Sequence, residues 1–247
     1  MRLSTALLVM LLALVEPAWA QWNEDAQNCF EYTKPETMNA DRAMPFCNRA
    51  IQSGELNRNN LATIYYYRGT IYMSKKDYKR AIPEFDEAVR LDPTLAQGFN
   101  TRGFARFFLG DFKPAVTDFT RAVQERPADL YALLWRYIVQ AKTGGDGAAD
   151  LERATRQMDL AEWPGPLVLM YRGQAKQQDV LRPLADVQNP KTQREKKCEF
   201  YFYAGQQLLI QGKKSEAIKM LRAAVATNVT NFPEYEGAKT ELKRLGA

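Results

Sequence analysis

Residues 62–95 read ATIYYYRGTIYMSKKDYKRAIPEFDEAVRLDPTL, and residues 96–129 read AQGFNTRGFARFFLGDFKPAVTDFTRAVQERPAD. Set one above the other, they repeat at an offset of 34 residues. Tyr65 falls on Phe99, Arg68 on Arg102, Gly69 on Gly103, Asp77 on Asp111 and Tyr78 on Phe112. Further along, Ala81 falls on Ala115, Phe85 on Phe119, Ala88 on Ala122 and Pro93 on Pro127. A fixed period of this length marks a solenoid of stacked helical hairpins. Glycine in the first helix permits close approach of the second, and small alanines there receive a neighbour's bulky ring. The closing proline stops the second helix and starts the turn into the next unit.

Around this core the chain divides into further segments. Residues 1–20 read as a secretory signal peptide: Arg2 is the positive start, Ala6–Val15 the apolar run, and Ala18-Trp19-Ala20 the small-residue cleavage site. That run is too short for a membrane span, which takes about 20 residues, and no later stretch is long enough. No cysteine stands at the cleavage point, so the expectation is an exported protein without a lipid anchor. Residues 21–61 are expected to form a pair of capping helices, about 24–32 and 41–52, with Asn57–Asn60 as a polar linker. Residues 130–197 begin as a degenerate unit. Leu133 and Ala149 keep the register, but Tyr137 replaces the glycine, and Arg153 and Arg156 replace the aromatic and the alanine. The rest of that segment is irregular, broken by Trp163-Pro164-Gly165-Pro166 and ending in a linker over 187–193. Residues 198–247 resume the pattern with Tyr201, Gly205, Ala217, Leu221 and Ala224, followed by an amphipathic helix over about 233–245.

Composition narrows the function. The chain has 34 Lys plus Arg, 29 Asp plus Glu and no histidine. Without histidine there is no Ser-His-Asp or Cys-His nucleophile system, no imidazole base and no histidine-ligated metal. No phosphate-binding glycine loop occurs, and Gly144–Gly147 fits a turn. No cofactor, metal or catalytic residue is expected. The net charge of +5 is spread out, with no basic stripe of the kind nucleic-acid binding needs. Lys75-Lys76 and Arg194–Lys197 read as solvated faces, as do Glu84, Asp86 and Glu87. Carboxylate-based catalysis would need two acids in one cleft, around residues 162–186 if anywhere. It stands as one alternative; a self-associating structural repeat protein is another.

Cys29 and Cys47 fall one on each capping helix, 18 residues apart. In an exported chain a disulfide between them is the favoured expectation, against two buried free thiols. Closing such a loop is worth about 3 kcal/mol in the chain-entropy model. Cys198 is left over.

The paired units closely resemble the tetratricopeptide repeat (TPR), whose aromatic, glycine, alanine and proline positions they carry nearly in full. The resemblance implies an all-α solenoid with two clear repeats, one degenerate repeat, a C-terminal repeat and capping helices. It also implies an interaction scaffold for protein partners. In that register the first helix of each unit lines the concave side. The inward positions are Tyr66, Thr70 and Met73, then Asn100, Phe104 and Phe108, then Tyr131, Leu134, Trp135 and Ile138. We take Tyr66, Asn100, Phe104, Phe108, Tyr131 and Trp135 as a candidate partner-binding groove, the alternative being docking of the protein's own helices. The Lys and Asn set of the family's carboxylate clamp is absent. Over about residues 62–245 the chain also looks like the NlpI-like TPR proteins of Gram-negative bacteria. Those are periplasm-facing adaptors for peptidoglycan hydrolases and a processing protease. Family members are typically lipoproteins, and this chain lacks the lipid-bearing cysteine.

Overall fold

The computed structural model describes residues 22–247, so the expected signal peptide lies outside the described residues. Among the described residues there are thirteen α-helices, one 3₁₀ turn and no strand. The N-terminal helices are α1 (Glu24–Glu31) and α2 (Ala40–Gln52). The paired units supply α3 (Arg58–Ser74), α4 (Tyr78–Leu91), α5 (Ala96–Leu109) and α6 (Phe112–Glu125). Then come α7 (Leu130–Lys142), α8 (Gly147–Thr155), α9 (Gly165–Tyr171), α10 (Gln177–Leu181) and a 3₁₀ turn (Arg182–Asp186). The chain closes with α11 (Pro190–Ile210), α12 (Lys214–Ala226) and α13 (Pro233–Leu245).

From α1 to α8 each helix packs on the next, as a solenoid requires. The repeat glycines are where the two helices of a unit touch. A Cβ on Gly69 would lie 2.5 Å from the Phe85 ring, and one on Gly103 would lie 2.9 Å from the Phe119 ring. The recurring aromatic therefore packs on the glycine of its own hairpin. Gly205 meets Leu221 at 2.9 Å in the same way, which makes α11 and α12 a third hairpin of the same kind. The degenerate unit has Tyr137 at this place. Its ring makes an edge contact, 4.8 Å between centroids, with Tyr171 on α9. The partner helix α8 is shortened to nine residues, and α9 packs on α7 beside it.

Polar residues set several helix ends. Asp77 caps α4 by accepting from the Arg80 N–H at 3.1 Å, but Asp111, at the matching position, makes no side-chain cap. The two expected linkers are partly helical. Asn57 and Asn189 act as N-caps, accepting from Asn60 N–H and from Lys191 and Thr192 N–H, so α3 and α11 begin at residues 58 and 190. Pro190 sits in the first turn, where its missing N–H costs nothing.

The acids read as solvated faces are partly structural. Glu84 accepts from Arg68 at 2.8 Å, with its side chain only 14% exposed. Asp86 accepts from Arg102 at 2.7 Å, and Arg102 also binds the fully buried Asp118 of α6. Arg102 thus ties the second helix of one unit to both helices of the next. Asp86 and Glu87, the latter paired with Arg90, nevertheless stay at the surface, with side chains 48% and 42% exposed.

Cys29 and Cys47 are bonded, joining α1 to α2 inside a small core with Ala26, Ala43, Ala50, Ile64 and Ile71. The main core runs from Val89 to Leu242 and takes in Leu133, Trp135, Val168, Leu184 and Phe200. The middle segment is therefore part of the same packed interior as the repeats. Cys198 is a buried free thiol in mid-helix.

Candidate functional site

The concave side of the solenoid is open at one end and filled at the other. The open part is a groove of about 800 Å³ bounded by α3, α5, the turn after α1, and the segment Thr230–Pro233 that leads into α13. Of the residues expected to line a groove, Tyr66, Phe104 and Phe108 do so, together with Thr70 and Met73. Phe108 packs 5.0 Å from the Tyr78 ring, and Phe104 reaches down to Phe119 and Trp135. Burial pushes the Tyr66 hydroxyl up despite a hydrogen bond with Thr101, and burial pushes its neighbour Tyr67 up to about 12. Both are neutral hydroxyls at any physiological pH.

Asn100, Tyr131 and Trp135 do not line this groove. Asn100 turns to α7, donating to Asp129 at 3.3 Å. The Tyr131 hydroxyl donates to Glu199 on α11 at 3.0 Å. Trp135 is 0% exposed, stacks on Phe202 at 4.9 Å and donates its indole N–H to Glu234 at 3.2 Å. Asn100 is drawn aside by Asp129 at the start of α7, and the other two corrections share one cause. Helices α11 and α13 lie over the α7 part of the concave surface, and α13 reaches as far as α5. Arg244 donates to the carbonyl oxygens of Phe107 and Phe108 at the end of α5. A Cβ on Gly237 would lie 2.7 Å from Phe202 and 3.2 Å from Trp135, so only a glycine lets α13 settle there. The helix thus does more than seal the last repeat, as its apolar face had suggested.

The repeat register missed the groove's other half. Tyr67 and Thr101 flank the inward positions on α3 and α5, while Phe232, Pro233 and Glu236 arrive from more than 120 residues away in the chain. No local pattern in Asn228–Pro233 signals that contact. Glu236 fixes this wall by accepting from the Tyr78 hydroxyl at 2.8 Å and pairing with Lys76 at 2.9 Å. Burial pushes its carboxyl up, but Lys76 and Tyr78 outweigh burial and hold it below the usual range.

Burial raises three carboxyls: Asp118, which Arg102 and Arg106 bind, and two that lack such a partner. Glu199 and Glu234 are 7% and 3% exposed and sit between α7, α11 and α13. Neither opens into the groove, so they are not the acid pair in a cleft that glycoside hydrolysis would use. Among the described residues no cluster of His, Cys, Asp or Glu has the arrangement of a metal site, and no helix is long and apolar enough to cross a membrane.

Comparison with known proteins agrees with this architecture. Residues 62–95 match the family model of the tetratricopeptide repeat. A tetratricopeptide repeat protein from Parabacteroides merdae superposes with a TM-score of 0.52 at 14% identity, over 89% of this chain and 98% of that one. PilW, a type IV pilus biogenesis factor, gives 0.48 at 20% identity over 88% and 96%. YrrB, a TPR protein with an unusual peptide-binding site, gives 0.42 at 15% identity over 78% and 97%. Only the first of these likenesses is close enough to bear on the fold. Residues 62–95 are a tetratricopeptide repeat, and the described residues form an all-helical array of hairpins of that fold.

Proposed function

We propose that this chain is an exported adaptor that takes up a short segment of a partner protein in the groove between α3, α5 and residues 230–233. The observation that carries this reading is an open, mainly apolar groove on the concave face, where Tyr66, Tyr67, Phe104 and Phe108 leave apolar surface beside the hydroxyls of Thr70 and Thr101. Such a site suits a peptide that inserts an aromatic or branched aliphatic side chain and hydrogen-bonds along its flanks. Because α13 and α11 fill the α7 end, the ligand is short, not a helix running the length of a superhelix. The signal-like residues 1–20 and the Cys29–Cys47 bond support an oxidising, extracytoplasmic setting. The likeness to NlpI-like proteins supports cell-envelope partners such as peptidoglycan hydrolases or a protease. The role is binding, with no catalytic step.

Peptides selected by display on the mature protein provide the test. Thr70→Arg and Thr101→Arg each place a long side chain in the groove from a helix surface, and both should abolish binding of the selected peptides. Unchanged binding to both variants would refute the groove as the site.

A further inference from the structure

The groove wall made by Thr230–Pro233 runs directly into Glu234, one of two buried acids facing a single aromatic cluster. Glu234 accepts from the Trp135 indole at 3.2 Å and from the Tyr203 hydroxyl at 3.0 Å. Glu199 accepts from the Tyr131 hydroxyl at 3.0 Å and from the Trp163 indole. Four neutral donors from α7, α11 and the turn before α9 therefore hold the pair. Among the described residues no Lys or Arg forms an ion pair with either acid. None of the other titratable groups nearby forms an ion pair with either acid. Glu195 lies one turn back on α11, and Cys198 is a thiol held neutral by burial, pushed up to about 12. Lys196 lies over the Trp163 ring, 5.6 Å away. On α13 itself, Glu236 is occupied by Lys76 and Tyr78, and Glu241 by Lys142 and Arg244.

We propose that Glu199 and Glu234 form a proton-operated bolt that holds the start of α13, and with it the 230–233 wall of the groove, in place while one acid stays protonated. The idea rests on the groove reading for its functional consequence. Two like charges in a dry site with no counter-ion are strongly unfavourable, and the least costly relief is movement of the segment that carries one of them. That segment is the first turn of α13, which has the chain Asn228–Pro233 before it. Burial first, and then the Glu234 charge, pushes Glu199 up to about 7. Burial also raises Glu234, against hydrogen bonds from its own N–H, Tyr203 and Trp135. The sign follows from linkage. A carboxyl whose folded pKa lies above its unfolded value stabilises the closed state fully at low pH. That contribution falls as pH rises from the ordinary glutamate range through about 7. The bolt is therefore set in mildly acidic conditions and released above neutrality. The pre-organised wall, and peptide affinity with it, weakens in the same window.

Hydrogen exchange of the mature protein at about pH 5.5 and about pH 8, corrected for intrinsic exchange, tests the bolt directly. In the parent, protection over residues 228–240 should fall about tenfold or more beyond the change in distant helices, a factor of ten being one pKa unit of coupling. Glu199→Gln, neutral at both values, should keep its protection. Glu234→Gln should move the midpoint of the loss to lower pH. A parent with no such fall, a Glu199→Gln protein that loosens like the parent, or an unmoved midpoint in Glu234→Gln would each overturn the proposal. Anisotropy with a display-selected peptide follows the consequence: affinity should drop with pH in the parent and not in Glu199→Gln. If no peptide binds while exchange behaves as described, the groove reading fails and the bolt stands.

Discussion

The hairpins α3–α4 and α5–α6 are built like the hairpin α11–α12, yet they end in opposite environments. Each closes a glycine onto a bulky side chain sixteen residues later: Gly69 on Phe85, Gly103 on Phe119, Gly205 on Leu221. Each turns the same register positions toward the concave side. On α3 and α5 those positions are Tyr66, Thr70, Phe104 and Phe108, which line open space. On α11 the matching positions are Phe202 and Gln206, both buried. The repeat pattern thus states which side of a helix faces inward and is silent on whether anything covers it. Helix α13 makes the difference by lying on α11, α12 and α5 at once.

Trp135→Ala probes this contrast with the largest expected effect. It removes the most deeply shared side chain of the closed half and should cost about 3–5 kcal/mol in denaturant unfolding. A loss under about 1 kcal/mol would mean that α13 does not rest on this ring. Replacing Cys29 and Cys47 together by Ala should cost about 3 kcal/mol, the entropy of the closed loop. The loss should concentrate in α1 and α2, since their core is separate from that of α13. Equal loosening of α11 and α13 in the same exchange experiment would show the two cores to be one cooperative unit. Gly103→Leu must displace Phe119 and should cost about 1–3 kcal/mol by overpacking, and a parent-like melting temperature would contradict the hairpin contact. Thr70→Arg should change stability least, by about 0.5 kcal/mol or less, because its side chain points into open groove. The same change should remove peptide binding. Large destabilisation by Thr70→Arg would instead mean that the open half is closed in solution.

Much of this was legible beforehand, for reasons that act over short distances. The 34-residue period, the two helices per unit and the glycine contact follow from local packing within one hairpin, and the sequence carries them twice in succession. The cap at Asp77 was readable in the same way, whereas its counterpart Asp111 shows that a capping residue type does not guarantee the bond. The joining of Cys29 to Cys47 needed only a pair of adjacent helices and the expectation of an oxidising compartment. The burial of Glu84 was not legible because an acid on a helix looks the same whether water or an arginine from a neighbouring helix faces it. Arg68 recurred as Arg102 in the pattern, and that recurrence was the available clue.

By itself the sequence determined the class of fold, the stacking of α1 to α8 and the inward face of each first helix, since all are set by side-chain periodicity and neighbours close in the chain. Only the tertiary structure decided that Trp135 is interior, that Tyr131 is half-buried against Glu199, and that Phe232 and Pro233 wall the groove. It also decided that Glu199 and Glu234 share one apolar site. Those outcomes depend on where a thirteen-residue helix lands, as far as 99 residues along the chain from Trp135. That landing is fixed by the summed burial of Ala238, Leu242 and Gly237 against three separate helices, a quantity with no local period to read.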